Sequence, residues 1–434
     1  MMLFIVMLAL LVLGVPIAAA MGISSLGYVL ANGMNPIVVV QRVFSGIDQS
    51  AYLAIPFFVL AGEIMNQGGI ARRIVAMVQR LVGNVTGGLG VVAIISVMFF
   101  GAISGSAIAS AVAIGGVMYA GLLRSGYGRG FSAALIASAA PMDNIIPPSI
   151  GLVIYGVLSR TSIGDLYKLG FPTGVLVGLA LIVPTIIIAK KRNFKGQAEK
   201  IASGEIVLNN VPEITVSNEE TKAQFWLYNI LALLSPVIIV GGVFMGVFTP
   251  TESAVVACVY SLIVGMFVYK DIKVKDLHRI FLNAAKSTST LMLIMAVATL
   301  FSYVMTYDRI PQRILEVFSA WEASNVAKLM LMNVILLIAG MFMEAGSIQY
   351  IAVPVLLPIA QQMGISPLHF GMIITTNLSI GMMTPPFGIT MFASMRVFNV
   401  SMQEVVRNMV PFLIALIAAL FIVTFVPDLI MWIV

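Results

Sequence analysis

Long apolar runs, separated by short polar stretches and by glycine- or proline-marked breaks, set the rhythm of this chain. A spanning helix needs roughly 20 apolar residues. Runs of that kind predict membrane helices near 3–13, 15–31, 50–67, 130–157, 170–190, 226–246, 249–269, 283–306, 367–395 and 409–433. Two further blocks, about 87–122 and 327–362, are too long for one span and polar in the middle. A block of about 36 residues would make a helix of roughly 54 Å, against a hydrocarbon core of about 30 Å. Split at its centre, each block becomes two half-length helices that enter and leave from one side, a re-entrant hairpin.

The first block turns within FGAISGSAIASA, Phe100 to Ala111. Irregular backbone at membrane depth is tolerated only where it is buried in protein or lines a water-filled cavity. Ser104-Gly105-Ser106 therefore offers carbonyls and hydroxyls as oxygen ligands; the plain alternative is that small residues let membrane helices pack closely. The second block holds GMFMEAGSIQ, Gly340 to Gln349, with the turn expected at Gly346-Ser347 and Glu344 beside it. A span expected to be broken follows each block. In ASAAPMDNIIPPSIG (Ala137 to Gly151), Pro141 and Pro147-Pro148 remove backbone donors, with Asp143 and Asn144 between them. In TTNLSIGMMTPPFGI (Thr375 to Ile389), Thr376, Asn377, Ser379, Gly381 and Thr384 surround Pro385-Pro386.

Ionisable groups inside spans are costly, a few kcal/mol on insertion scales. Asp143 and Glu344 are accordingly read as shaping or ligating cation sites, and Glu63 and Glu252 as interhelix or partner contacts. A hard monovalent cation such as sodium needs several oxygen ligands, which unwound carbonyls at half-helix ends supply. One hairpin tip plus one broken span makes one cation site, and two halves make two.

The halves are related. A shift of 238 positions lays Pro147-Pro148 on Pro385-Pro386, Gly126 on Gly364, Ala107 on Ala345 and Ile136 on Ile374, and a shift of 240 lays IARRI (Ile70 to Ile74) on IPQRI (Ile310 to Ile314). Both halves run through two spans, an amphipathic basic piece, a span, an interrupted block and a Pro-Pro-broken span. The predicted organisation is a first repeat over 1–195, with its hairpin at about 87–122 and its broken helix at about 130–157. A connecting loop follows over 196–224, then a second repeat over 225–434, with hairpin and broken helix at about 327–362 and 367–395.

Composition agrees: 60% hydrophobic and 10% charged residues, where a soluble domain has about 45–50% and about 25%. The class is an all-α polytopic membrane protein. The N-terminal run lacks the basic n-region of a secretory signal and is read as the first mature helix. The net charge of +6 reflects basic residues beside apolar segments rather than a nucleic-acid surface. With Ala189–Lys200 and Lys270–Arg279 placed in the cytoplasm, only Arg42, Arg160, Lys168, Arg309, Arg313 and Lys328 of the 24 basic residues fall outside. The repeats are then inverted, and both termini are periplasmic. Ile70 to Asn84 and Val274 to Ala285 are amphipathic and basic and are expected to lie along the interface as rigid arms. One cysteine, Cys258, excludes a disulfide framework and a thiolate cluster, and His278 and His369 have no ligand-spaced companions. No Walker A motif, nucleophile elbow or zinc signature supports an ATP-driven pump or an intramembrane hydrolase.

GVFTPTESAVVACVYSLIVGMFVYKDI (Gly246 to Ile272), FSGIDQSAYLAIPFFVLAGEIM (Phe44 to Met65) and the ISGSAIAS and NIIPPSIG segments resemble the large membrane subunit of tripartite ATP-independent periplasmic (TRAP) transporters. The likeness runs over essentially the whole chain, and FTPTES before an apolar span is its most specific piece. It implies a bacterial inner-membrane secondary transporter, not an enzyme, driven by a sodium gradient and working as an elevator. It implies two or more Na+ ions, a small four-helix membrane subunit, a separate chain here, and a periplasmic substrate-binding protein delivering an organic acid. Carried onto this sequence, it puts the tips at Ser104 to Ala107 and Glu344 to Ser347, and the broken-span ligands at Pro141 to Asn144 and Thr376 to Met382. The expected Na+ ligands are Ser104, Gly105, Ser106, Pro141, Asp143, Asn144, Gly340, Glu344, Gly346, Thr376, Gly381 and Met382. The expected substrate contacts are Ser106, Ala107, Pro147, Ser149, Gly346, Ser347 and Thr384. With no Arg or Lys at a tip or break, backbone donors, hydroxyls and helix ends must meet the carboxylate, which favours a mono-acid such as sialic acid over a C4-dicarboxylate. The competing readings are a sodium/dicarboxylate symporter that needs no binding protein, an ion channel with the hairpins as filter, and a purely structural subunit.

Overall fold

A computed structural model describes residues 2–82, 87–203, 205 and 222–434. Among these the chain is all helical. Seven described helices are long and apolar enough to cross a membrane: Ala107–Arg124, Ile163–Lys191, Gln224–Phe244, Pro250–Val268, Val274–Tyr307, Asn325–Phe342 and Met402–Phe425. Ile37–Ser45 and Ser50–Gln67 form a further apolar pair bent by 58°; the sequence reading did not foresee the helix over Ile37–Ser45.

Local chemistry fixes where these helices begin. Ser162, Ser324, Ser366 and Ser401 each accept the backbone N–H three residues on, from Asp165, Ala327, His369 and Glu404. Such caps satisfy donors that the first helical turn leaves unpaired. The FTPTES stretch contains a reciprocal version. Thr249 donates its N–H and its hydroxyl to Glu252 Oε2, each at 2.8 Å, and Glu252 N–H donates back to Thr249 Oγ1 at 3.3 Å. Glu252 thus fixes a helix start, a use not expected of it.

Other boundaries shift too. Val274–Ala285 is no separate arm but the first third of a 34-residue helix, Val274–Tyr307. Lys273 and Asp276 cap its start, and nothing in the sequence between breaks it. The arm at Ile70 is a helix to Val82, its expected end at Asn84 lying outside the described residues. It is held by Arg73, which donates to Asp271 at 2.8 Å and stacks 3.7 Å over the Tyr269 ring. Of the expected 196–224 loop, Phe194–Ala202 is helical and Lys222 opens the next helix. Residues 204 and 206–221 lie outside the described residues.

Each interrupted block is a helix pair, Gly88–Ser104 with Ala107–Arg124 and Asn325–Phe342 with Ala345–Gln362. Each pair leads into a broken helix. The first is Arg129–Ala139, a 3-10 turn over Ala140–Asn144, then Ile150–Ser159; the second is Pro367–Met383, then Ile389–Phe398. Both Pro-Pro bonds at the breaks are cis. The same hinge joins each pair to its broken helix. Gly126 and Gly364 sit at φ +81° and +82°, a region open to glycine without penalty, and the residues after them, Tyr127 and Ile365, bond back to Leu122 and Ala360 at 3.0 Å.

The buried side chains form two interleaved clusters. One surrounds the first pair and includes Met391, Phe398, Met409 and Phe412 from the far end of the chain. The other surrounds the second pair and takes in Ile150, Val153 and Tyr155 from the first broken helix. Each break thus hands its second segment to the other half's core. A close backbone approach joins Gly340 and Gly381, where a methyl on Gly381 would fall 2.5 Å from the Gly340 Cα. Gly381→Ala is expected to lower stability by about 1–3 kcal/mol, the range for overpacking. Gly116→Ala, with nothing within 4 Å of the added methyl, should match or slightly exceed the parent. Thermal unfolding of the purified protein in detergent compares the two.

Candidate functional site

Both tips and both breaks meet at one cavity of about 610 Å³. Ser104, Gly105, Ser106 and Ala107 line it from the first tip, Glu344 and Gly346 from the second. Asn144, Gly151 and Ile154 come from the first broken helix, and Met382 and Ile389 from the second. The remaining wall is Glu63 and Asn66 of the helix Ala54–Gln67, with Ser287 and Thr290 of the long helix Val274–Tyr307.

The first tip turns at Gly105, φ +58°, and restarts with Ser106 as N-cap, its hydroxyl accepting Ala109 N–H at 3.4 Å. Behind the tip Asp143 is wholly buried. Its Oδ2 accepts from Ser104 Oγ at 3.0 Å and, in a shorter bond, from Ser110 Oγ. Asp143 Oδ1 has no hydrogen-bond partner. Gly101 makes room for this carboxylate, because any side chain there would collide with it. Gly62 lets the tip close onto the helix behind it, since a methyl there would stand 3.2 Å from the Ser104 Cα.

The second tip is built differently. Its turn is Met343-Glu344, both residues extended at φ −138° and −67°, and the helix resumes at Ala345. The expected turn at Gly346-Ser347 is therefore displaced by three residues. A turn made of two extended residues needs no left-handed position, so glycine does not mark it. Gly346 and Ser347 lie in the first helical turn, Ser347 with a buried and unpaired hydroxyl. Gly340 touches Gly381, which stands 238 positions after Asp143, so this junction has a backbone contact where the first has a carboxylate. Thr376 Oγ1 is buried and unpaired nearby in sequence. Asn144 Nδ2 donates to Met382 Sδ at 3.0 Å and ties the two breaks together.

Of the residues selected from sequence, Ser104, Gly105, Ser106, Ala107, Asn144, Glu344, Gly346 and Met382 line the cavity. Pro141, Asp143, Pro147, Ser149, Gly340, Ser347, Thr376, Gly381 and Thr384 are not among its lining residues. Two of these hydroxyls are engaged at home: Ser149 donates to Asn144 O at 2.5 Å and Thr384 to Ile380 O at 2.7 Å. The sequence reading missed Ser110, Asn66, Ser287 and Thr290, and gave Glu63 a different role. Ser110 stands one helical turn beyond Ser106, and Glu63 met the criterion that singled out Asp143, an ionisable group within a span. Among the described residues no Lys or Arg lines the cavity, and Asp143 makes no ion pair. Nor is there a group of three His, Cys, Asp or Glu fit for a transition metal among them. The chemistry on offer is hard oxygen: hydroxyls, carbonyls and carboxylates.

An all-helical, multi-span membrane protein with broken helices around a central cavity, largely apolar in its walls with hydroxyls and carboxylates among them, defines the class of a membrane transporter subunit. The chain matches the family described as "Tripartite ATP-independent periplasmic transporter, DctM component" over residues 4–429, and it belongs to that family. It is 37% identical to the C4-dicarboxylate TRAP transporter large permease protein DctM of Pseudomonas aeruginosa, covering 89% of this chain and 86% of that one. It is also 37% identical to the isethionate TRAP transporter permease protein DctMQ of Oleidesulfovibrio alaskensis, over 96% of this chain, and spans 63% of that relative's length. In fold it is similar to the crystal structure of the Alcanivorax borkumensis YdaH transporter, with a TM-score of 0.64, 14% identity, and coverage of 89% of this chain and 86% of that one.

The geometry sets an accessibility pattern. In a Cys258→Ser background, Glu63→Cys and Thr290→Cys are expected to react with a small polar thiol reagent about tenfold or more faster than Ser149→Cys, which is buried off the cavity. Labelling rates followed by mass spectrometry check this.

Proposed function

We propose that this chain is the transport subunit of a sodium-driven importer that carries an organic acid across the bacterial inner membrane. The observation that carries the proposal is the convergence of two helix tips and two helix breaks on one cavity, with the orphaned Asp143 carboxylate oxygen behind one tip. A buried carboxylate without a positive partner costs several kcal/mol. A sodium ion held by Asp143, the Ser104 and Ser110 hydroxyls and tip carbonyls would offset that cost. The second ion would fall at the other junction, where Gly340, Thr376, Gly381 and Met382 supply backbone carbonyls and a free hydroxyl.

The organic acid enters the cavity and is met by neutral donors, since the only charges lining it among the described residues are the carboxylates of Glu63 and Glu344. With both ions and the acid present the tips are satisfied and the assembly can cross. With one missing, unsatisfied carbonyls and charge hold it back. The crossing is of the elevator kind: hairpins and broken helices move as one body against Ala54–Gln67 and Val274–Tyr307, which form the fixed wall of the cavity. Near-constant offsets between matching helix starts, Ala107 with Ala345 and Arg129 with Pro367, support two repeats, and the basic loops support their inverted arrangement with both termini periplasmic. A small four-helix membrane subunit would cover part of the exposed apolar surface, and a periplasmic binding protein would deliver the acid. The lack of Lys and Arg among the described lining residues favours a mono-acid such as sialic acid over a C4-dicarboxylate.

Uptake of labelled organic acids into liposomes holding this chain with its small subunit tests the proposal. Uptake is expected to require an inward sodium gradient and the binding protein, and Asp143→Asn is expected to raise the half-saturating sodium concentration about tenfold or more. Uptake driven equally by a proton gradient would overturn the sodium reading. Uptake without the binding protein would make the chain a self-sufficient symporter.

A further inference from the structure

The fixed wall of the cavity runs on beyond the cavity itself. On Ser50–Gln67 the lining residues Val59, Gly62, Glu63 and Asn66 share one face, and at helical spacing that face continues to Ile55 and Tyr52, both buried. On Val274–Tyr307 the lining residues Ser287, Thr290, Leu291 and Ile294 are followed one turn later by Ala298, again buried. Each wall helix is thus uncovered along one part of its face and sealed along the next. The uncovered parts lie toward basic residues, Arg72 and Arg73 after the first helix and Lys273 and Lys275 at the start of the second. By the positive-inside rule the cavity occupies the cytoplasmic half of the wall, and the seal the periplasmic half.

The second hairpin makes the seal. Tyr350 of its helix Ala345–Gln362 donates its hydroxyl to that of Tyr52 at 2.8 Å, and both rings are buried in one apolar cluster with Ile55, Ile150 and Ala298. Tyr52 belongs to the 3-10 turn at the 58° bend before Ala54–Gln67, so its hydroxyl is carried by the wall. No other side-chain hydrogen bond among the described residues joins a hairpin or a broken helix to either wall helix. Parted inside an apolar cluster, the two hydroxyls lose a partner that no water replaces. We propose that Tyr350 and Tyr52 form a latch between the moving body and its wall, which holds the cavity toward the cytoplasm and opens each time the body returns to collect another acid. Neither tyrosine lines the cavity, so the latch sets how long the body dwells in this state and not what it binds. The inference rests on the elevator reading.

In a Cys258→Ser background, Ile55→Cys and Ala298→Cys report the opening, because each lies on the part of the wall that the seal covers. Their rates of reaction with N-ethylmaleimide are measured in sodium chloride on the chain with its small subunit in liposomes. Tyr350→Phe and Tyr52→Phe each remove a hydroxyl and keep the ring. Each is expected to raise both rates about three- to tenfold, the worth of one hydrogen bond. The double variant should raise them no further than either single, since all three lose the same bond. Ser132→Cys, wholly buried in Arg129–Ala139, should keep its rate throughout. Unchanged rates at the two reporters, or effects that multiply in the double variant, would overturn the latch and leave the elevator standing. Equal acceleration at Ser132→Cys would show a loosened fold and overturn the latch as well. Failure of both reporters to react in a parent that takes up an acid on a sodium gradient would overturn the sliding wall, and the latch with it.

Discussion

A helix broken inside an apolar medium exposes carbonyls and N–H groups with no water to satisfy them, and the two tips and two broken helices around the cavity are such places. Everything else in the fold arranges partners for those breaks. Serine caps restart the helices after Ser106 and Ser149. The breaks abut each other through Asn144 and Met382, and Thr390 Oγ1 reaches the carbonyls of Ala137 and Met382 at 3.0 and 3.1 Å. What local bonding leaves over stands behind the tips, at Asp143 Oδ1 near the first and at the Ser347 and Thr376 hydroxyls near the second.

The two junctions obey this constraint with different chemistry. Where the first carries Asp143, held by two serine hydroxyls, the second carries Gly381 pressed onto Gly340. A repeat relates their backbones but not their charge. Sodium ions at the two junctions would meet different chemistry: at the first the Asp143 carboxylate behind the tip, at the second backbone dipoles with the Glu344 carboxylate at the tip beside them.

Much of this was legible in the sequence because the signals were covalent or periodic. Over-long apolar blocks, the Pro-Pro pairs and the glycines at 126 and 364 each dictate backbone behaviour directly, and the element order followed from them. The errors share one cause: a residue type with two possible uses. Gly346 resembled a turn, but the second tip turns through extended Met343 and Glu344, a conformation open to any residue. Val274–Ala285 resembled an interface arm because its polar face is basic, and only tertiary context shows it continuing into a 34-residue helix. Glu252 resembled a contact for a neighbouring helix and turned out to bond its own backbone three residues back. Asn66, Ser287 and Thr290 come to the cavity as ordinary polar residues of helices unbroken at those positions, so nothing local distinguished them, whereas Glu63 carried the signal of an ionisable group within a span and was given another role.

The interleaving of the two cores has a consequence for biosynthesis. The cluster around the first hairpin is closed by Met391, Phe398, Met409, Phe412 and Leu416, residues made long after the hairpin itself has left the ribosome. Until they arrive, Gly88–Arg124 and the break at Ala140–Asn144 lack the surface that buries them. The burial of the N-terminal hairpin is thus completed only with residues of the C-terminal half. Truncation near the C-terminus removes part of the surface that buries a hairpin of the N-terminal half.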